Sequence, residues 1–454
     1  MTTDDLLEPT APPAAPPPPA ATTPGTLRPV LLRLHFYAGI LVGPFLLVAA
    51  VTGLLYVFAP QLEQAVYDHE LHVPAGTSAQ PLAAQVAAAQ AALPEGTLAG
   101  VRPGPTATDT TQVLFDIPGL PESYHRTVFV NPYDGEIRGV LDTYGSGQAL
   151  PVRAWLDNLH RNLNLGDPGR IYSELAASWL AVVVAGGLVL WWGGRRRKRK
   201  ATAGRARTLS WHATTGTWVA LVLFFLSATG LTWSQFAGQN ISEVRAALSW
   251  QTPSVPAKLP AAAAGTTAGI PQSIDAVLAS ARSAGLDGPV DITPPQASKA
   301  YVVKQIQRSW PEKQDAAAID PNTGQVLGVL RFEDWPLAAK LARWGIDAHM
   351  GLLFGLANQI VLALVVLGLI ALVIWGYRMW WQRRPTGRSM GRPFPRGALR
   401  RLPMKVLAPL AAAGIVVGWF VPVFGVSLLA FLLLDAFLGW RAHRTRPSVP
   451  PIAT

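Results

Sequence analysis

Four histidines fall at corresponding places in two stretches of this chain. Arg33-Leu-His35-Phe-Tyr-Ala-Gly39 is answered by Ser210-Trp-His212-Ala-Thr-Thr-Gly216, and Thr52-Gly53-Leu54 by Thr229-Gly230-Leu231, both at an offset of 177 residues. His160, with Gly166 six residues on, is answered by His349 with Gly355 at an offset of 189. A neutral imidazole nitrogen is the commonest side-chain ligand for a metal. A duplicated quartet of imidazoles therefore points to metal or haem ligation. The chain has no cysteine, which excludes disulfides, iron–sulfur clusters, thiolate zinc sites and covalently attached c-type haem. Any metal or redox group must be held by His, Met or carboxylate.

The glycines around these histidines bear on the shape of the ligand. Gly39 and Gly216 lie four residues after His35 and His212, one turn along the same helical face. Gly53 and Gly230 lie 18 residues on, which is five turns of 3.6 and returns to that face about 27 Å away. A helix bare at both ends of one face can border two flat plates. Two haems b fit, since each needs axial imidazoles, no cysteine and an apolar slot between helices. The pairs would be His35 with His212 on one membrane face and His160 with His349 on the other. Other readings stay open: polar caps for the histidines, packing sites for the glycines, or a zinc or copper site. The last wants three or four ligands converging at one point, whereas these separate into two faces. Asp157 and Asp347 are candidates to receive the second ring N–H of the outer histidines, or are helix N-caps. Arg33 and Arg207 are placed to meet haem propionates, and equally serve to fix membrane topology. His69, His72, His125 and His443 are unrepeated and read as surface residues.

The elements that must carry these side chains are membrane helices. Half of the 454 residues are apolar and only 14% are charged, against roughly 25% charged in an ordinary soluble chain. The pattern predicts spans over 28–59, 171–194, 211–236 and 349–377, and a tighter helical hairpin over 405–440 turning at Val421-Pro422. The net charge of +11 would suit nucleic acid, but its placement excludes that reading. Twenty-two of the 38 basic residues flank the spans, above all in the loops 195–210 and 378–404, which hold no acid. Of the 27 acids, 23 fall in the two long segments on the opposite side, counting Glu174 at the mouth of the second span. The positive-inside rule then makes the basic loops cytoplasmic and the segments 60–170 and 237–348 extracytoplasmic. Residues 1–27, a Pro/Ala/Thr tract without the basic start of a cleavable signal, read as a disordered cytoplasmic tail; residues 441–454 form a second tail.

Each long segment reads as a small α+β unit. The first has a helix at Leu82–Leu93, alternating runs at Thr111–Ile117 and Thr127–Asn131, and a turn at Asn131-Pro-Tyr-Asp-Gly135 into Glu136–Leu141. The second has Ile274–Ala284, Ala300–Gln307 and Ala316–Asp320, then Pro321-Asn-Thr-Gly324 into Gln325–Leu330. Pro presets φ and Gly supplies positive φ, so the turns read as hairpins. Trp310, Trp335 and Trp344 read as buried core, with stacking on a ligand as the other use. The expected fold class is a polytopic α-helical membrane protein, four core spans as two parallel repeats plus a terminal hairpin, with two periplasmic α+β domains.

The set of motifs resembles the PepSY-associated transmembrane proteins over roughly residues 28–385: basic-Leu-His at span one, Asn-Pro-x-x-Gly-x-x-x-Gly in the outer segment, Leu-His-x5-Gly before span two, Trp-His-x3-Gly on span three and Asp-x-His-x-Gly-Leu-x-x-Gly at span four. The second outer segment has Asp320-Pro321 where the first has Asn131-Pro132, and the terminal hairpin is not assigned to the family core. The resemblance implies an inner-membrane protein with two haems b that reduces a ferric siderophore or other ferric chelate, with His35, His160, His212 and His349 as axial ligands. No G-x-G-x-x-G follows a predicted strand, so the electrons would come from quinol or a separate reductase rather than from nicotinamide or flavin bound by this chain. A regulatory or ligand-binding membrane protein and a metal or siderophore transporter are the alternatives.

Overall fold

The computed structural model describes residues 27–194, 203–259, 273–296, 299–384 and 397–444. The Pro/Ala/Thr tract, the basic run Arg195–Lys200, positions 385–396 of the second basic loop and the end of the C-terminal tail lie outside those residues. Helices α1 (Leu27–Leu41) and α2 (Gly43–Val57) together make the first apolar pass, bent by 56° at their junction. Pro44 causes the break: it has no N–H to give the Ile40 carbonyl. The Tyr377 hydroxyl donates to that carbonyl instead, at 2.7 Å. Gly39 and Gly53 therefore do not share one straight helical face, as the 18-residue spacing assumed for span one.

After α2 come the short helices α3 (Ala59–Val66), α4 (Asp68–Leu71) and α5 (Leu82–Ala92), then strands β1 (Thr97–Arg102), β2 (Thr111–Asp116), β3 (Tyr124–Val130) and β4 (Ile137–Tyr144). Helix α6 (Pro151–Asn162) returns to the membrane, which α7 (Asp167–Gly194) and α8 (Gly204–Leu231) cross. The second outer segment holds α9 (Phe236–Ala247), α10 (Ile274–Ser283) and strands β5 (Val290–Thr293), β6 (Tyr301–Gln305), β7 (Ala316–Ile319) and β8 (Val326–Leu330). Then follow α11 (Leu337–His349), the span α12 (Gly355–Trp381) and the terminal pair α13 (Met404–Phe420) and α14 (Pro422–Arg444). Helix α8 starts seven residues before the expected span three, carrying Arg205 and Arg207 on its first turns. Span four starts at Gly355, so His349 closes the helix before it.

The two outer segments are not separate domains. They form one antiparallel sheet in the order β4-β3-β2-β1-β5-β6-β7-β8. The seam is the β1–β5 pair, where Val101 faces Ile292. Arg102 Nε and Nη2 both donate to Asp291 Oδ2 across it, at 2.8 and 2.7 Å. Neither seam strand was expected from the sequence, and the fusion follows from them. The strands bury both faces. Val128, Val130, Ala317 and Ile319 enter one core with α5 and α10, while Phe129 packs with Leu71 and Leu150, and Ala316 and Ala318 pack with Val255. The halves also share a cap. Pro81 offers no side-chain acceptor at the start of α5, and Asp275 of the other half accepts from the backbone N–H groups of Leu82 and Ala83, at 2.6 and 3.0 Å. Asp275→Ala should lower stability by about 1 kcal/mol, the usual value of an N-cap, as read in a thermal melt.

In the membrane the side chains turn inside out. Trp218 and Leu221 are 84% and 80% exposed on α8, as lipid-facing positions must be, while Leu46, Trp179, Leu223 and Val365 form the bundle core. The terminal pair docks through α14 and the end of α13: Trp179 Nε1 donates to Ser427 Oγ at 2.8 Å, and Asn240 Nδ2 to the Phe420 carbonyl at 2.8 Å. A further tie is an ion pair between Asp435 and Arg33.

Candidate functional site: paired imidazoles at both ends of the bundle

His35 on α1 and His212 on α8 meet near the basic-loop end. Their ring centroids are 6.2 Å apart with planes at 81°. Each ring is held from behind by a backbone carbonyl of a neighbouring span. His35 Nδ1 lies 3.0 Å from the Val183 carbonyl on α7, and His212 Nδ1 lies 3.1 Å from the Leu372 carbonyl on α12. A carbonyl only accepts, so Nδ1 carries the proton in both rings and Nε2 keeps its lone pair. The two carbonyls are themselves 189 residues apart.

At the sheet end, α6 and α11 bring His160 and His349 against the spans. His160 Nδ1 is 3.0 Å from Thr52 Oγ1, and His349 Nδ1 is 2.6 Å from Thr229 Oγ1. A threonine hydroxyl has one proton. Thr52 gives it to the Val48 carbonyl at 2.9 Å, and Thr229 gives it to the Phe225 carbonyl at 2.8 Å. Both hydroxyl oxygens therefore accept from the imidazole Nδ1–H, and again Nε2 is the free nitrogen. Burial lowers the pKa of both imidazoles, that of His349 to about 3, with the nearby His160 as its second cause. Both stay neutral and able to donate a lone pair.

Two of the four repeated glycines lie against these rings. A Cβ on Gly53 would stand 3.0 Å from His160 Cε1, so the side chain is absent to admit the imidazole. Gly230 stands next to His349 in the same way, at 4.0 Å. Gly39 faces open space, and Gly216 faces Leu372. On α7, Gly187 lies against His35, where a Cβ would come within 3.2 Å of Cε1.

The sequence missed Thr52, Thr229 and Gly187. The first two were visible in the repeated Thr-Gly-Leu triplet, of which only the glycine had been given a role. Of the aspartates proposed as imidazole partners, Asp347 is engaged by arginines. Asp347 is fully buried and bonds Arg308 Nε at 2.6 Å, and it forms an ion pair with Arg343. Burial holds the Asp157 carboxyl above its ordinary range, with Arg161 and Arg153 pulling it back. Arg33 is committed to Asp435 and lies 4.9 Å from the centre of the Tyr37 ring; Arg207 lies 4.6 Å over Trp211. Among the described residues no three His, Cys, Asp or Glu side chains converge as a metal cluster.

Trp310 and Phe332 pack against Trp344 of α11, and Trp335 meets the Phe332 ring edge-on. Glu312 lies among them. Burial pushes its carboxyl up to about 7; the Trp344 indole and the Arg343 charge oppose this, while the Asp347 charge adds to it. A carboxyl with a raised folded pKa favours the fold while neutral, and that contribution fades as pH climbs from about 4.5 through 7. The melting temperature should fall over that window, and Glu312→Gln should flatten the fall in a pH series of thermal melts.

Residues 32–383 match the family model described as the PepSY-associated TM region. That match ends before the terminal pair α13–α14. No significant match to a curated protein is found. With three quarters of its length covered by that match, the chain belongs to the PepSY-associated transmembrane family.

Proposed function

We propose that this chain is a di-haem b electron-transfer protein of a bacterial inner membrane that reduces a ferric chelate on its sheet side. In this reading the basic loops are cytoplasmic, the sheet is periplasmic, and the two halves are parallel repeats. The observation that carries it is the state of the four repeated imidazoles. All have Nδ1 engaged by an acceptor, which leaves four neutral Nε2 donors, as second-shell partners do at metal centres. Two imidazoles sharing one metal at about 2 Å each hold their centroids roughly 6 Å apart, and His35 and His212 stand at 6.2 Å. Two protein ligands are too few for a bare zinc or copper ion. They suit an iron whose other four donors come from a macrocycle.

Bound haem b would supply a one-electron iron couple at each end of the bundle. The protein's part is to hold the rings. The Val183 and Leu372 carbonyls fix His35 and His212, while Thr52 and Thr229 fix His160 and His349. The apolar core around Leu46, Leu223 and Val365 keeps water from the path between the two ends. On the sheet side, taking up one electron would turn Fe(III) into Fe(II), which hard oxygen ligands bind far less tightly, so the chelate would open. The electron donor on the basic side would be quinol or a separate reductase. The test is a pyridine haemochrome spectrum of the purified protein. Two haems b per chain are expected, and a haem-free protein from haem-replete cells would overturn the reading.

A further inference from the structure

Beside α6, the edge of the sheet leaves an open cleft of ≈ 630 Å³. Trp155 forms its wall and is 56% exposed. Val140, Tyr124, Arg126, Asp142 and Asn158 line it as well. The residues 189 positions later stand at the matching place in the second half: Trp344 for Trp155, Asp315 for Arg126 and Arg331 for Asp142. The ion pair across the two outermost strands is present in both halves with its sign reversed. Arg126 Nε donates to Asp142 Oδ1 at 2.9 Å, and Arg331 Nη1 to Asp315 Oδ2 at 2.8 Å.

The halves differ in what covers the tryptophan. In the second half the protein fills the place itself: the Phe332 and Trp310 rings each stand 6.2 Å from the Trp344 ring, edge-on. The positions 189 residues before them are Thr143 and Pro121, which bring no ring to Trp155. The same site is thus closed by aromatic contact in one half and open in the other. We propose that the open cleft binds a chelate that carries aryl rings and little net charge, one ring packing on Trp155 as Phe332 packs on Trp344. Arg126 and Asp142 neutralise each other, so nothing in the lining compensates a polyanion. Aromatic pairs in this geometry add binding beyond their buried area. Trp155 and His160 share α6 five residues apart, about 140° around the helix. A ligand on Trp155 would then sit one helix width, about 10 Å, from the face that carries His160. This names the chelate class for the proposed reduction and rests on that reading only for the iron.

The test separates binding from electron transfer. Tris(8-hydroxyquinolinato)gallium(III) is uncharged, aromatic and redox-silent; its 5-sulfonate analogue has the same core with three negative charges. Binding of each to the full chain in nanodiscs is measured by tryptophan quenching, with empty nanodiscs subtracted. Saturable binding of the neutral chelate is expected. Trp155→Ala should weaken it about tenfold, in line with loss of an aromatic pair, and Val140→Trp, which fills the cleft, should abolish it. Thermal melts confirm that both variants fold. Absence of saturable binding, equal affinity in Trp155→Ala, or tighter binding of the sulfonated chelate would overturn the proposal. Gallium takes no electron, so a negative result leaves the haem reading standing, and a haem-free protein leaves the binding result readable.

Discussion

On the di-haem reading proposed above, His35→Ala and His212→Ala should each remove the same haem, so the double variant keeps about one haem per chain, as either single variant does. His35→Ala combined with His349→Ala should keep none. This pattern follows from which rings meet. His35 and His212 come from different halves and face each other at 6.2 Å, and His160 is close enough to His349 to lower its pKa. Residues that act as one unit lose function together and not additively. A pairing within each half, His35 with His160, would give the opposite result: the His35 and His212 double variant would then be haem-free. Haem per chain, from the haemochrome spectrum and protein concentration, separates the two. A milder variant isolates the outer pair. Thr52→Val removes the acceptor of the His160 Nδ1–H and keeps the side-chain shape. Loss of such a partner costs about 10–100-fold in metal affinity. Haem retention during dilution should therefore fall for one haem and hold for the other.

The sequence showed the histidines well because they are few and repeated at fixed offsets, and because His35 and His212 are set in membrane helices, where any polar group must have a reason. The strands β2, β3, β4, β6, β7 and β8 were legible for a similar reason, being apolar runs bounded by Pro and Gly. The seam strands were not. β1 reads Thr-Leu-Ala-Gly-Val-Arg and β5 only Val-Asp-Ile-Thr, too short and too mixed to stand out. Their pairing depends on a contact between residues 191 apart, and so a single sheet read as two domains. The break in the first span had a local sign, Gly43-Pro44, but the hydroxyl that repairs it comes from Tyr377 on another helix. Arg33 shows the same limit. Its place beside His35 suggested an anionic cofactor group, and its partner Asp435 belongs to a hairpin some 400 residues away.

Asp347→Ala should be the most damaging single change outside the imidazoles, at about 3–5 kcal/mol of stability. The carboxylate is fully buried. It joins Arg308, from the loop after β6, to Arg343 one turn earlier on its own helix α11. Its backbone carbonyl accepts from Leu352 and Leu353, at 2.8 and 3.1 Å, in the turn that starts the fourth span. One residue thus ties the sheet, the histidine-bearing helix and the membrane bundle together. Removing only the carboxylate leaves two partly buried guanidinium groups without their counter-charge, and that orphaned charge is the source of most of the loss. Removing a charge from each side should therefore cost less: Asp347→Ala with Arg308→Met should recover part of the stability lost in Asp347→Ala alone. Thermal melts of the two single variants and the double close the cycle. If Asp347→Ala melts with the wild type, the buried triad does not hold α11 in place. If it melts early, the haem proposed at His349 should be lost at a lower temperature than the one proposed at His35, because His349 lies on the loosened helix and His35 does not.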